Sequence, residues 1–184
     1  RLGGWQSVDD LKAMPFTLLT KTHGISLVDH TIAVTEGALA LARAQANAYA
    51  HMPYKVNTDR LIAGGLLHDV GKLVYIKFAP ESYKRLTEYC REHGTLLVDA
   101  ERALDLPSHQ DLGQKLCDHW SLPSAVKLAC GNHELEDLRG EACRTNDALR
   151  VIAMANLLAN LAVGKLDNET KTRINDATLE TLGF

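Results

Sequence analysis

The chain has 184 residues, of which 46% are hydrophobic and 23% are charged, and its formal net charge is −3. This size and balance predict a single compact globular domain. The negative net charge is unlike that of a basic nucleic-acid-binding domain, so nucleic-acid binding is not expected. The longest apolar runs are too short to span a membrane and no signal peptide is recognisable, so the sequence predicts a cytoplasmic protein that does not bind membranes.

Helical periodicity dominates the sequence, whereas aromatic residues make up only 5% and alternating strand patterns are rare. The prediction is an all-α fold in one domain, with an entry segment (1–26), a core (27–163) and a C-terminal tail or helix (164–184). Helices are predicted at about residues 27–50, 58–71, 80–91, 96–104, 108–120, 124–134 and 145–163, with a polar loop at 136–144.

Residues that favour helix ends mark several of these boundaries. Ser108, Ser124 and Thr145 each stand at the start of a predicted helix, where a side-chain oxygen can accept from free backbone N–H groups. Gly94 fits the end of the third helix. The four cysteines form no CxxC pair, and most lie in apolar helical patterns, so they are predicted to be buried free thiols.

Several helices place one polar, metal-competent side chain on an apolar face, because residues three, four and seven apart share a helix face. These residues are His30, His68, His109, His133 and Asn156. A single histidine in such a place is usually a hydrogen-bonded core residue. Burying four of them, with Asp69 beside His68, is costly unless one centre satisfies them jointly. Imidazole and carboxylate ligands suit Fe, Mn, Co or Zn, so the pattern predicts a metal site in the helical core.

Two segments resemble the HD superfamily of metal-dependent phosphohydrolases. The run Gly65-Leu66-Leu67-His68-Asp69-Val70-Gly71-Lys72 resembles the HDIG form of its motif, and Val28-Asp29-His30-Thr31 resembles its first-histidine motif. The layout from Leu73 to His133 is similar to HDOD domains and, more loosely, to HD-GYP domains; it includes Pro80, Tyr83, Glu101, His109, Leu112-Gly113, Trp120-Ser121-Leu122-Pro123 and Asn132-His133-Glu134. The resemblance covers about residues 27–163 and implies an HD-domain helical bundle.

The resemblance also implies a ligand set for one or two divalent ions, of Fe, Mn, Co, Ni, Mg or Zn. His30, His68 and Asp69 would hold one ion, and Asp69 would bridge to a second ion held by His109 and His133. The last ligand of the family is an aspartate on a late helix. Ala155-Asn156-Leu157-Leu158-Ala159 occupies that place here, so Asn156 is a neutral candidate ligand. Asp147 is a weaker candidate, since an acidic residue in a first turn also suits the helix dipole.

The function implied is metal-dependent hydrolysis of a phosphate mono- or diester, with a small phosphorylated molecule or nucleotide as partner. Asp69 would order the attacking water. Lys72 would neutralise phosphate charge, although it also suits a helix C-terminus as a simple cation. Leu135-Glu136-Asp137-Leu138 follows His133 where HD-GYP domains have their GYP motif, which disfavours cyclic dinucleotide hydrolysis.

Two alternatives remain open at the level of sequence. One is a signalling or scaffold domain of HDOD type with a vestigial metal site, which the neutral Asn156 favours. The other is a diiron oxygenase of HD type, which would use the same ligands. A homodimer is also left open.

Overall fold

The computed structural model describes residues 26–48 and 57–182. Within these ranges every regular element is a helix and none is a strand, which confirms the predicted all-α fold. The elements are α1 (Leu27–Ala48), α2 (Thr58–Leu67), α3 (Val70–Phe78), α4 (Pro80–His93), α5 (Leu97–Ala103), α6 (His109–His119), α7 (Ser124–Gly131), a 3₁₀-helix (Glu136–Arg139), α8 (Glu141–Thr145), α9 (Asp147–Val163) and α10 (Asn168–Leu182).

The chain bends sharply between α2 and α3, at residues 68 and 69. The sequence predicts one helix over about residues 58–71, but α2 ends at Leu67 and α3 begins at Val70. Asp69 has φ −94° and ψ 11°, in the sparsely populated bridge region, and this conformation turns the chain. The apolar pattern continues through the bend, so helical periodicity alone does not reveal it.

The predicted helix ends are correct in part. Ser108 caps α6 by accepting from the backbone of Gln110, and Gly94 ends α4 in the left-handed region with φ 64°. At the start of α9 the cap is Asn146 rather than Thr145, and its side chain accepts from the backbone of Leu149. Residues 136–144, predicted as a loop, form the 3₁₀-helix and most of α8.

The main hydrophobic core lies where α1, α2 and α9 pack together. Its fully buried members include Val34, Leu61, Val151, Ile152 and Leu157. Burial of an aliphatic side chain of this size contributes about 1.5–3 kcal/mol to folding. Helix α10 adds Ile174 and Ala177 to the same core. Two smaller clusters stand beside it, one built mainly from α3, α4 and α5, the other from the start of α3 with α6 and α7.

Helices α3 and α6 cross in direct backbone contact at Gly71. A Cβ atom added to Gly71 would lie 1.8 Å from the carbonyl oxygen of His109, so any larger residue would force the two helices apart. Only glycine permits this approach. The crossing therefore places the first residue of α6, His109, directly beside the bend that carries His68 and Asp69.

All four cysteines are buried and free, as predicted. The Sγ atoms of Cys117 and Cys130 lie 3.4 Å apart, as a pair of thiols. Burial raises the pKa of the Cys90 and Cys143 thiols to about 12, which makes them poor nucleophiles. Among the helices of residues 26–48 and 57–182, none has both the length and the hydropathy that crossing a membrane requires.

Candidate metal centre

The carboxylate of Asp69 lies at the centre of four histidine rings. Its Oδ2 is 3.5 Å from Nε2 of His30 and 3.4 Å from Nε2 of His68. Its Oδ1 is 3.6 Å from Nε2 of His109 and 3.4 Å from Nε2 of His133. The rings come from α1, the α2–α3 bend, α6 and the segment after α7. One carboxylate, 2% exposed, thus gathers four parts of the chain.

The site divides into two sets of side chains on either side of this carboxylate. The first set, on the Oδ2 side, comprises His30, His68 and Asn156. The second set, on the Oδ1 side, comprises His109, His133 and Glu134.

Local backbone contacts turn two rings so that Nε2 faces Asp69. Nδ1 of His68 donates to the carbonyl of Gly65 at 2.7 Å, and Nδ1 of His133 donates to the carbonyl of Ala129 at 2.8 Å. A neutral imidazole that donates from Nδ1 carries its lone pair on Nε2. Both rings therefore present a lone pair to the centre, which is the arrangement found in histidine metal ligands.

Glu101 on α5 likewise orients the ring of His109 so that its Nε2 faces Asp69. Its carboxylate accepts from Nδ1 of His109 at 2.9 Å and 3.0 Å, and from the backbone N–H of His109 at 2.9 Å. Burial alone would lower the pKa of His109, but the carboxylate of Glu101 outweighs it and raises this pKa to about 10. The carboxylate thus supports positive charge at the His109 ring, whether from a proton or from a metal ion.

Several polar atoms in the centre face each other in a way that calls for a cation or a proton between them. Nε2 of His109 and Nε2 of His133 lie 3.1 Å apart, and the Nδ1 atoms of both rings donate elsewhere, so either a proton on His109 or a metal ion must lie between the two Nε2 atoms. Among the described residues, Nε2 of His68, Oδ1 of Asp69 and Oε2 of Glu134 have no hydrogen-bond partner. Buried acceptors in this arrangement are costly unless a cation lies among them.

The donor atoms therefore fit a metal ion. Two groups of buried ligand atoms each lie within 4.8 Å of one another: His30, His68 and Asp69, and Asp69, His109 and His133. Either group could bind a metal ion.

Asn156 on α9 directs its amide oxygen toward the first set. Its Nδ2 donates to the carbonyl of His133 at 2.9 Å, and its Oδ1 lies 2.9 Å from Nε2 of His30. The contact with the carbonyl of His133 fixes which end of the amide faces His30. Burial lowers the pKa of His30 to about 3, so the ring is neutral and Nε2 donates to Asn156. His30 would have to move that proton before it could bind a metal ion.

Lys72 introduces a positive charge beside the first set. Its Nζ donates to Oδ2 of Asp69 at 2.7 Å, and both residues are buried. Burial opposes ionisation of Asp69, but the Lys72 ammonium outweighs it and holds the pKa of Asp69 well below its usual range. Burial likewise opposes the charge on Lys72, and the Asp69 carboxylate reverses this and raises its pKa. Lys72 thus pairs with Oδ2, the same oxygen of Asp69 that faces His30 and His68.

The comparison with protein families agrees with this centre. A family model described as the HDOD domain matches residues 11–135, more than half of the chain. The chain belongs to the HDOD domain family. This is the branch that the layout from Leu73 to His133 resembles. A search of curated proteins and a search of solved structures each gave no significant match.

The HDOD fold brings together every residue that the sequence singled out for the site. His30, His68, Asp69, His109, His133 and Asn156 meet in one buried cluster, and Lys72 contacts Asp69. Their roles as ligands or catalytic groups remain predictions. Asp147, the weaker substitute for Asn156, instead pairs with Arg150 at the start of α9, nine residues before Asn156.

Sequence reasoning did not assign roles to two carboxylates of this HDOD domain. Glu134 is 4% exposed, and its Oε1 lies 3.4 Å from Nε2 of His109. Glu101 holds the His109 ring, as described above. Glu134 directly follows a candidate ligand, which is a usable signal, but residues 132–135 lie outside the helices, where helical periodicity no longer applies. Glu101 lies eight residues before its partner, and no pattern links such a pair.

Proposed function

We propose that this HDOD domain is a metal-dependent phosphohydrolase that acts on a phosphate mono- or diester of a small, nucleotide-like molecule. The observation that carries the proposal is the convergence of four imidazole Nε2 atoms on both oxygens of one buried carboxylate, Asp69. A cluster of this kind has a high desolvation cost, and a bound dication offsets it.

The ligand chemistry favours a transition metal. Imidazole suits Zn, Fe, Mn, Co and Ni, whereas Mg²⁺ prefers a shell of oxygens. A bound divalent cation supplies Lewis acidity, which makes water a better nucleophile at neutral pH and withdraws charge from a phosphoryl group. His30, His68, Asp69 and Asn156 would hold one ion, and His109 and His133 would hold a second ion with Asp69.

The protein's own groups would then position water and substrate. Asp69 presents an acceptor that can order a water molecule at the junction of the two sets. The ammonium of Lys72, held 2.7 Å from Asp69, would face the phosphoryl oxygens and neutralise part of their charge.

His30 and Lys72 are the most exposed side chains of the centre. Their side chains are 8% and 10% exposed, compared with 5% for Glu134 and 0% for His68, His109 and His133. A phosphate ester would therefore approach past His30 and Lys72, and the second set would lie behind them.

The test begins with the metal content of the purified protein, followed by a panel of phosphate mono- and diesters assayed with Mn²⁺, Zn²⁺ and Fe²⁺. We expect bound metal and metal-dependent release of phosphate or of a phosphomonoester product. The variant His68→Ala should remove the activity. The exposed His119→Ala, on a helix end away from the cluster, serves as the control and should remain active. If the metal-loaded wild type hydrolyses none of these esters, the proposed phosphohydrolase activity is wrong.

Two observations favour a second candidate, a signalling or scaffold domain with a vestigial site. The first set has the neutral Asn156 where the HD family has a carboxylate, and the Lys72 ammonium already pairs with Oδ2 of Asp69. Both features weaken the binding of a cation by the first set. In that case the protein would bind metal without hydrolysing any ester on the panel, and its partner would be another protein.

A further inference from the structure

Glu134 is a buried carboxylate whose position the proposed reaction leaves unexplained. Its Oε1 lies 3.4 Å from Nε2 of His109 and 3.6 Å from Nε2 of His133. Its other oxygen, Oε2, has no hydrogen-bond partner among the described residues. The backbone N–H of Glu134 donates to Asp137 at 2.8 Å, which fixes the main chain at this point. A carboxylate held in this way, beside two histidines, has the position of a ligand.

Two carboxylate oxygens of the second set each stand at the spacing of metal ligands from the same pair of histidine nitrogens. Nε2 of His109 lies 3.1 Å from Nε2 of His133, and Oδ1 of Asp69 lies 3.6 Å and 3.4 Å from these two atoms. Oε1 of Glu134 lies 3.4 Å and 3.6 Å from the same two nitrogens. Ligands bound at about 2.0–2.2 Å in tetrahedral geometry stand about 3.3–3.6 Å from one another.

We propose that Glu134 is the fourth ligand of a tightly held divalent cation, with Zn²⁺ the best fit, completing a closed set with Asp69, His109 and His133. This inference rests on the proposed metal binding and deepens it. A site with four protein ligands leaves no position for substrate, as in structural zinc sites. The resident cation would therefore hold the fold together, and chemistry would be confined to the first set.

Charge supports the same assignment. Glu134 gives the second set a carboxylate that the first set lacks, and Glu101 adds a second negative charge behind the His109 ring. The first set shares Asp69 with the Lys72 ammonium, and its own oxygen ligand is the neutral amide of Asn156. Opposite charges in a buried site attract strongly, so the second set should bind its ion first and more tightly.

Titration of the metal-free protein with Zn²⁺ and with Co²⁺ tests the inference. Isothermal calorimetry should resolve one tight equivalent, and Co²⁺ in that site should give the strong visible absorption of tetrahedral coordination. We expect Glu134→Gln to weaken the tight equivalent by more than the about 10- to 100-fold that loss of an outer partner costs. The Co²⁺ spectrum should change with it. His30→Ala, a matched change in the first set, should leave the affinity and the spectrum of this equivalent unaltered.

Glu134→Asp provides a second test if Glu134→Gln does not fold. Aspartate keeps the negative charge, but its side chain is shorter by one methylene. The metal affinity of the tight site should therefore fall between that of the wild type and that of Glu134→Gln. Unchanged affinity and an unchanged Co²⁺ spectrum in the folded Glu134 variants would overturn the assignment of Glu134 as the fourth ligand, although the protein would still bind metal. A wild type that binds neither Zn²⁺ nor Co²⁺ would overturn the proposed function as well.

Discussion

The two sets around Asp69 differ in how well their hydrogen bonds prepare them for a metal ion. In the second set, the rings of His109 and His133 donate outward from Nδ1, and Glu134 adds a negative charge. In the first set, Nε2 of His30 donates to Asn156, and Lys72 already neutralises the shared carboxylate. In the second set a metal ion would replace the proton that His109 carries, with both rings already oriented, whereas in the first set His30 must also give up its hydrogen bond to Asn156. Ligand identity alone does not determine affinity.

The largest effect should come from Asp69→Ala, because this residue serves both sets. We expect bound metal to fall sharply, together with the stability that the metal provides. That stability is about 2.7 kcal/mol when free metal is about 100 times the dissociation constant. Metal analysis and melting temperatures with and without Zn²⁺ measure both. The half-exposed Asp147→Ala is the control. His68→Ala should affect only the weaker equivalent, which is the metal ion bound by the first set. Unchanged metal content in both Asp69→Ala and His68→Ala would place the site elsewhere.

Glu101→Gln should weaken the second set alone. A glutamine can still accept from Nδ1 of His109, but it removes the charge that favours a cation at this ring. Loss of such an outer partner costs about 10- to 100-fold in metal affinity, so the tight equivalent should weaken by that amount. Zinc competition against a chromophoric chelator measures it, with the exposed Glu136→Gln as the matched control. An equal loss at both equivalents would show that the two sets are not independent.

Asn156→Asp should make the first set more like the second. The added carboxylate should raise the affinity of the weaker equivalent by about tenfold or more, which corresponds to about 1.4 kcal/mol. Without metal, the extra buried charge should lower the melting temperature. Calorimetric titration and thermal unfolding of the same samples separate the two effects. Lower stability without any gain in affinity would show that Asn156 is a core residue and would favour the vestigial site.

The smallest effect should come from Asn160→Ala. Nδ2 of Asn160 lies 3.4 Å from Oδ1 of Asn156, a long contact, whereas the carbonyl of His133 orients the same amide at 2.9 Å. We expect a change of about 0.5 kcal/mol or less in the affinity of the weaker equivalent. Calorimetry of the first set checks this. A larger loss would mean that Asn160, and not the His133 carbonyl, holds Asn156 in place.

Sequence reasoning predicted most of the longer helices and the histidines of the cluster, because both depend on local periodicity. A histidine on an apolar stripe, as at His30 or His109, is visible from its neighbours three and four residues away. The bend at Asp69 was not predicted, because the apolar stripe runs through it unbroken. The ion pair of Lys72 with Asp69 was also missed because it forms across this bend, and the contact of Glu134 with His109 was missed because it joins residues distant in sequence. The hydrogen bonds that distinguish the two sets are likewise tertiary.

Asp69 lies at a bend with partners on α1, α6 and the segment after α7, so a metal ion bound to it would act as a cross-link between distant parts of the chain. A cation in the second set would tie residue 69 to residue 134, and one in the first set would tie residue 30 to residue 156. Closing loops of such length removes much freedom from the unfolded chain. Such a tie must break before the helices separate. A protein loaded with metal would consequently unfold slowly and resist proteolysis for far longer than its equilibrium stability alone suggests.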